Sequence, residues 1–151
     1  MKVIFLDFDG VLNSSKYLLN SEAYSVAIDP SRMVLLKQIV DAANAKIVLS
    51  TSWREHWSKD LMHCDSTGVL INSIFSEYGL QVYDKTPELH ERRETEIKSW
   101  LDIHPEVKNF VVLDDSLLSA DYLNGHFIKT SNYFDGLDET DVQKAIDILN
   151  C

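Results

Sequence analysis

The chain reads as an α/β protein: a doubly wound, Rossmann-like parallel sheet of about five strands, with helices on both faces and no large cap domain. Three observations predict it. Short apolar runs rich in β-formers occur at Val3–Asp7, Lys46–Thr51 and Phe110–Leu113, the pattern of strands buried on both faces. Segments of helical periodicity stand between them, the alternation expected of a parallel sheet. Each run also ends in polar residues: Asp7 and Asp9, Ser50 and Thr51, Asp114 and Asp115. Ligands of such sheets bind outside the carboxyl ends of the strands.

The first strand covers about Val3 to Asp7. A mixed stretch at about 13–29, with Tyr17, Leu18, Leu19, Tyr24 and Val26, reads as a short flap beside that strand's exit. Tyr17 and Tyr24 are candidates for the substrate mouth. Asp29-Pro30 opens a helix, Asp29 as N-cap and Pro30 at the first helical position. Leu35, Leu36, Ile39, Val40 and Ala43 supply its apolar face. The second strand, Lys46–Thr51, turns through Ser52-Trp53-Arg54-Glu55 into a short helix near His56–Leu61. Residues 62–67 are polar and read as loop, and Val69–Tyr78 reads as a helix closed by Gly79. Leu80–Tyr83 is the candidate third strand, followed by loop at 84–90. A helix from about Glu91 to Ile103 carries Ile97, Trp100, Leu101 and His104 on one side, and Pro105 ends it. Phe110–Leu113 is the fourth strand and Phe127-Ile128 a short fifth. The last helix starts near Asp138, with Asp141 three residues on and Val142, Ala145, Ile146 and Leu149 at helical spacing. Residues 1–151 are expected to form one domain with a single core.

Composition narrows the function classes. A net charge of −10 argues against a broad electrostatic grip on nucleic acid or an anionic membrane. No stable nucleic-acid binding is therefore expected from charge, although a single phosphate site governed by a metal and one or two arginines stays open. Cys64 and Cys151 read as reduced thiols of a cytoplasmic protein. The opening apolar run ends in Asp-Phe-Asp, unlike a signal peptide, and no stretch has the length of a membrane span. His56, His63 and Cys64 match no zinc-finger spacing.

Side chains alternate along extended backbone, so Asp7 and Asp9 point one way and Phe8 the other. Two carboxylates held side by side repel. A hard cation between them removes the conflict, and Mg²⁺ binds through a few carboxylate oxygens plus water and substrate phosphate. Metal-assisted phosphoryl chemistry is the leading expectation, because three strand ends bring acids and hydroxyls to one rim.

These residues resemble the haloacid dehalogenase (HAD) superfamily of phosphohydrolases. Asp7-Phe8-Asp9-Gly10-Val11-Leu12 is similar to its first motif, Thr51 (or Ser50) to its second, and Val112-Leu113-Asp114-Asp115 to its fourth. Ser52-Trp53-Arg54, Arg93-Glu94-Thr95-Glu96-Ile97 and Gly136-Leu137 resemble small capless members, some of them associated with RNA repair. The resemblance implies a phosphomonoesterase with Asp7 as nucleophile and Asp9 as general acid and base. Mg²⁺ would be held by Asp7, Asp114 and Asp115, with the Asp9 main-chain carbonyl. Thr51, Ser50 and Ser52 would meet the substrate phosphate. The third motif is a lone basic residue, more often lysine in the family. The spacing favours Arg93, with Arg92 beside it and Lys85 and Lys98 as the other candidates. Trp53, Arg54 and Arg92 are further candidate substrate contacts, with Arg54 equally suited to holding a carboxylate of the protein.

Two other classes share these parts. A phosphoacceptor receiver places its acidic pair after strand one and its acceptor aspartate after strand three, whereas here the second acidic pair follows strand four. A non-hydrolytic phosphate-binding regulatory module would keep the scaffold without turnover, yet every catalytic position is filled. With only a short flap, the site should admit a phosphorylated small molecule or a bulkier phosphorylated nucleic-acid end.

Overall fold

A computed structural model describes residues 1–20, 27–131 and 133–151. Tyr24 and Val26 of the expected flap lie outside the described residues. Strands β1 (Lys2–Leu6), β2 (Lys46–Leu49), β3 (Val82–Lys85), β4 (Asn109–Asp114) and β5 (Phe127–Lys129) pair in parallel in the order β3-β2-β1-β4-β5. Helices α1 (Ser15–Leu19) and α2 (Pro30–Ala43) follow β1, α3 (Ser66–Glu77) follows β2, α4 (Arg93–Asp102) follows β3 and α5 (Glu139–Asn150) follows β5. The chain winds from β1 out to β3, then returns to the other side of β1 for β4 and β5. The strand order reverses there, and open α/β sheets bind ligands at such a reversal. The fold is the expected capless, Rossmann-like one.

Alternation along the strands splits the interior in two. Ile4 and Leu6 join Ile47, Leu49, Val111 and Leu113 beneath α2, α3 and α5. Val3 and Phe5 join Val48 and Val112 beneath α4, where Ile97 and Trp100 close over them. The Phe5 ring stands edge-on to Trp100 at 5.4 Å, a favoured aromatic geometry. Successive residues of one strand thus serve opposite faces.

The helix boundaries follow their caps. Asp29 accepts from the Ser31 N–H at 2.9 Å, as its position before Pro30 predicts. Asp138 and Asp141 form the expected capping box at the start of α5. Helix α3 starts before Val69, because Asp65 accepts from the Thr67 and Gly68 N–H groups and converts the end of the expected loop into a first turn. Helix α4 starts at Arg93, not Glu91, since Arg92 has extended backbone. The turn after β2 is a 3₁₀ helix at Ser52–His56, and a second at Leu61–His63 replaces the helix expected near His56–Leu61. Strand β3 begins at Val82, because Leu80 still donates to the Phe75 carbonyl and closes α3. Inside the expected flap, Ser14 caps α1. No described helix is long and apolar enough to cross a membrane.

Candidate active site

The site follows from register. Leu6 of β1 lies beside Leu113 of β4, and the ladder continues as Asp7 donates its N–H to the Leu113 carbonyl at 3.1 Å. Asp7 and Asp114 are therefore neighbours. Parity places both on the α4 side of the sheet, Asp7 in phase with Val3 and Phe5, Asp114 in phase with Val112. The first residue of α4 is Arg93, whose Nη1 lies 2.8 Å from Asp7 Oδ2 and 2.5 Å from Asp114 Oδ2. Asp114 is fully buried and Asp7 nearly so.

Burial in this setting disfavours a carboxylate charge. The Asp7 pKa is pushed up from 3.8 to about 6, chiefly by desolvation; Arg93 opposes the rise and Asp114 adds to it. Burial works against the Arg93 charge too, but Asp7 and Asp114 more than offset it, so the guanidinium holds its proton more tightly than usual.

Asp115 completes a group of three: one carboxylate oxygen from each of Asp7, Asp114 and Asp115 lies within 4.8 Å of the others. Among the described residues no other cluster of three acidic, histidine or cysteine side chains could hold a metal ion. The donors are all hard oxygens, two of the acids are buried, and Arg93 pairs with two of the three carboxylates. That donor set fits Mg²⁺. Gly10 makes room for the Asp115 side chain. At φ +77° it occupies backbone that L-residues avoid, and a Cβ there would lie 2.4 Å from Asp115 Oδ2.

The Asp9 carboxylate stands outside this trio and is more exposed. Its Oδ2 accepts from the Trp53 indole N–H at 3.0 Å and its Oδ1 from Asn13 Nδ2 at 3.0 Å. Asn13 also donates to the Ala27 carbonyl and accepts from the Gly10 N–H, so one amide ties Asp9, the glycine turn and the chain entering α2. Trp53, read as a candidate substrate contact, thus holds Asp9.

Ser50 and Thr51 are both fully buried at the end of β2. The Ser50 N–H extends the ladder to the Leu6 carbonyl, while its hydroxyl has no hydrogen-bond partner among the described residues. Thr51 Oγ1 accepts from the Trp53 N–H as the cap of the 3₁₀ turn. Ser52 is exposed.

The basic candidates separate clearly. Arg93 alone of the four reaches the aspartates. Arg92 is in solvent against Glu94, Lys98 pairs with Asp102, and Lys85 is held by Glu88 and the Arg54 carbonyl. Arg54 takes the second of its two readings and holds a carboxylate: it is buried, with Nη2 donating to Glu96 at 2.6 Å and Nη1 to the Thr51 carbonyl at 2.9 Å. It fastens the β2 exit to α4. Tyr17 donates to the Ile28 carbonyl.

Sequence reasoning missed Asn13, Glu96 and Thr130. Thr130, at the end of β5, donates its hydroxyl to the Gly10 carbonyl at 2.6 Å. Only the position of Asn13, three residues beyond Gly10, hinted at a turn.

A model of the HAD domain in Swiss Army Knife RNA repair proteins matches residues 3–142. No curated protein and no solved structure matches. The match spans all five strands and every aspartate described above, and the chain belongs to this family of HAD domains, a branch of the haloacid dehalogenase superfamily.

Proposed function

We propose that the chain is a Mg²⁺-dependent phosphomonoesterase that acts through an aspartyl-phosphate on the phosphorylated end of an RNA. The observation that carries this reading is the Arg93 guanidinium set between Asp7 and Asp114, with Asp115 beside them. It is an anionic nucleophile, a cation-binding set and a phosphate-binding cation in one place.

Bound at Asp7, Asp114 and Asp115, the metal would neutralise the charge that keeps an anionic phosphate from an anionic nucleophile. An Asp7 oxygen attacks phosphorus as the bond to the leaving oxygen breaks. Asp9 gives that oxygen a proton, so the alcohol leaves neutral and the phosphoryl group stays on Asp7. Asp9 then takes a proton from water, whose oxygen attacks the same phosphorus. Inorganic phosphate departs and Asp7 is regenerated. Trp53 and Asn13 orient Asp9 from the protein body. Arg93 offers a planar fork to the phosphoryl oxygens, and the unpartnered Ser50 hydroxyl is available to one of them. The RNA assignment draws on the family's description, which names RNA repair proteins, and on a site over which the described residues build no cap domain.

The test is hydrolysis of p-nitrophenyl phosphate and of 3′- and 5′-phosphorylated oligoribonucleotides, with Mg²⁺ and with chelator. Turnover should require the metal. Arg93→Ala should raise KM by roughly 10- to 100-fold, the loss of a charge-assisted contact, and Arg93→Lys should recover part of it. Metal-independent turnover, or none on any ester, would refute the reading.

A further inference from the structure

Between β5 and α5 the described residues 131 and 133–136 form a turn beside the strand ends. Ser131 and Gly136 close that turn in an antiparallel bridge, Gly136 N–H to Ser131 carbonyl at 2.8 Å. The turn is bolted to the candidate site at both ends. On one side Thr130 donates its N–H to the Asp114 carbonyl at 2.9 Å and its hydroxyl to the Gly10 carbonyl. On the other Leu137 donates to the Val11 carbonyl at 2.9 Å. At Gly136, φ +66°, a Cβ would sit 2.6 Å from the carbonyl oxygens of both Val11 and Asn13. Asp135 reaches Lys16 of α1 at 4.0 Å.

The tip of this anchored turn faces water with two large rings. Tyr133 is 73% and Phe134 61% exposed. They stand edge-to-face, centroids 4.9 Å apart, and neither belongs to either core cluster. Their burial contributes little to the fold, and adjacent exposed aromatics beside a ligand rim mark a binding surface. The occupant follows from chemistry. At net charge −10 the chain gains little from the polyanionic backbone of a nucleic acid, so affinity beyond the one phosphate held at Arg93 and the metal must come from contacts that do not depend on charge. Every base offers a π-face that stacks on an aromatic ring whatever the sequence.

We propose that Tyr133 and Phe134 are the platform on which a base beside the scissile phosphate stacks, which makes the substrate the phosphorylated end of a single-stranded RNA. This rests on the phosphatase reading above and adds to it the part of the substrate the chain recognises.

The test separates the two. Asp7→Asn supplies a form that binds without turnover. Its Kd is measured by fluorescence anisotropy for labelled oligoribonucleotides phosphorylated at the 3′ or the 5′ end, with the terminal nucleotide intact or abasic. Removing the base should weaken binding by roughly 5- to 150-fold, the range for one stacked base. The same comparison with Tyr133→Ala and Phe134→Ala added should show less than about a twofold difference, with the circular dichroism spectrum retained. An equal base effect in both proteins, no base effect in the first, or no oligonucleotide binding at all would overturn the platform. If wild-type protein still hydrolyses p-nitrophenyl phosphate, the phosphatase reading survives that result. If it hydrolyses neither that ester nor a phosphorylated oligoribonucleotide, that reading falls, whatever the anisotropy shows.

Discussion

Replacing Asp7 by asparagine should make the metal-free protein more stable. The buried carboxylate has its pKa raised from 3.8 to about 6. Each unit is about 1.4 kcal/mol, so the ionised side chain costs the folded state roughly 3 kcal/mol near neutral pH. The folded value lies above the unfolded one. Stability is therefore full below about pH 4, is lost as pH rises toward about 6, and levels off beyond. Asparagine mimics the protonated form at every pH. Its carbonyl oxygen can accept from the Phe8 N–H, as Asp7 Oδ1 does at 2.9 Å, and Arg93 keeps Asp114 as a partner. Urea unfolding in chelator should show the two proteins close together near pH 4 and the variant ahead by about 3 kcal/mol above about pH 7, a melting-point gain of roughly 6–12 °C in a domain this size. Adding Mg²⁺ should stabilise the wild type by binding linkage and reverse much of the gap. A variant less stable than wild type at about pH 7.5 in chelator would mean that the Arg93 attraction outweighs desolvation, and would refute the argument.

Glu96→Ala should destabilise the fold by about 3–5 kcal/mol, because it strands the Arg54 guanidinium in the interior; a loss under about 1 kcal/mol in urea melts would contradict the pairing. Gly10→Ala should weaken Mg²⁺ binding at least about tenfold by calorimetry, since the methyl group displaces Asp115 and the backbone is strained at φ +77°. Unchanged Mg²⁺ affinity would dissociate Gly10 from the trio.

What the sequence made legible is what depends on near neighbours. The apolar run before Asp7, the Asp29-Pro30 cap and the Asp138/Asp141 box are each written within a few residues, and each appears in the fold. The strand alternation carried the parallel sheet, and with it the meeting of Asp7 and Asp114. The Asp65 cap was hidden because no apolar periodicity begins there. Arg54 faced substrate or protein equally well until Glu96, on another helix, fixed its direction. Asn13 and Thr130 act by hydrogen-bonding the turn around Gly10, a role no side-chain pattern encodes. Spacing favoured Arg93 among four basic residues, and three-dimensional reach separates it from Arg92, Lys85 and Lys98.

The central strand is made early but gains its second neighbour late. During vectorial synthesis β1 can pair with β2, and β2 with β3, while the other edge of β1 waits for β4. Until then a nascent chain shows Val3 to Leu6 as an open, wholly apolar margin, prone to pair with a second copy. It also has Asp7 with neither Asp114 nor Asp115 yet made. Chains cut short before β4 would therefore be both sticky and chemically inert, so in this fold competence at the strand ends coincides with protection from aggregation.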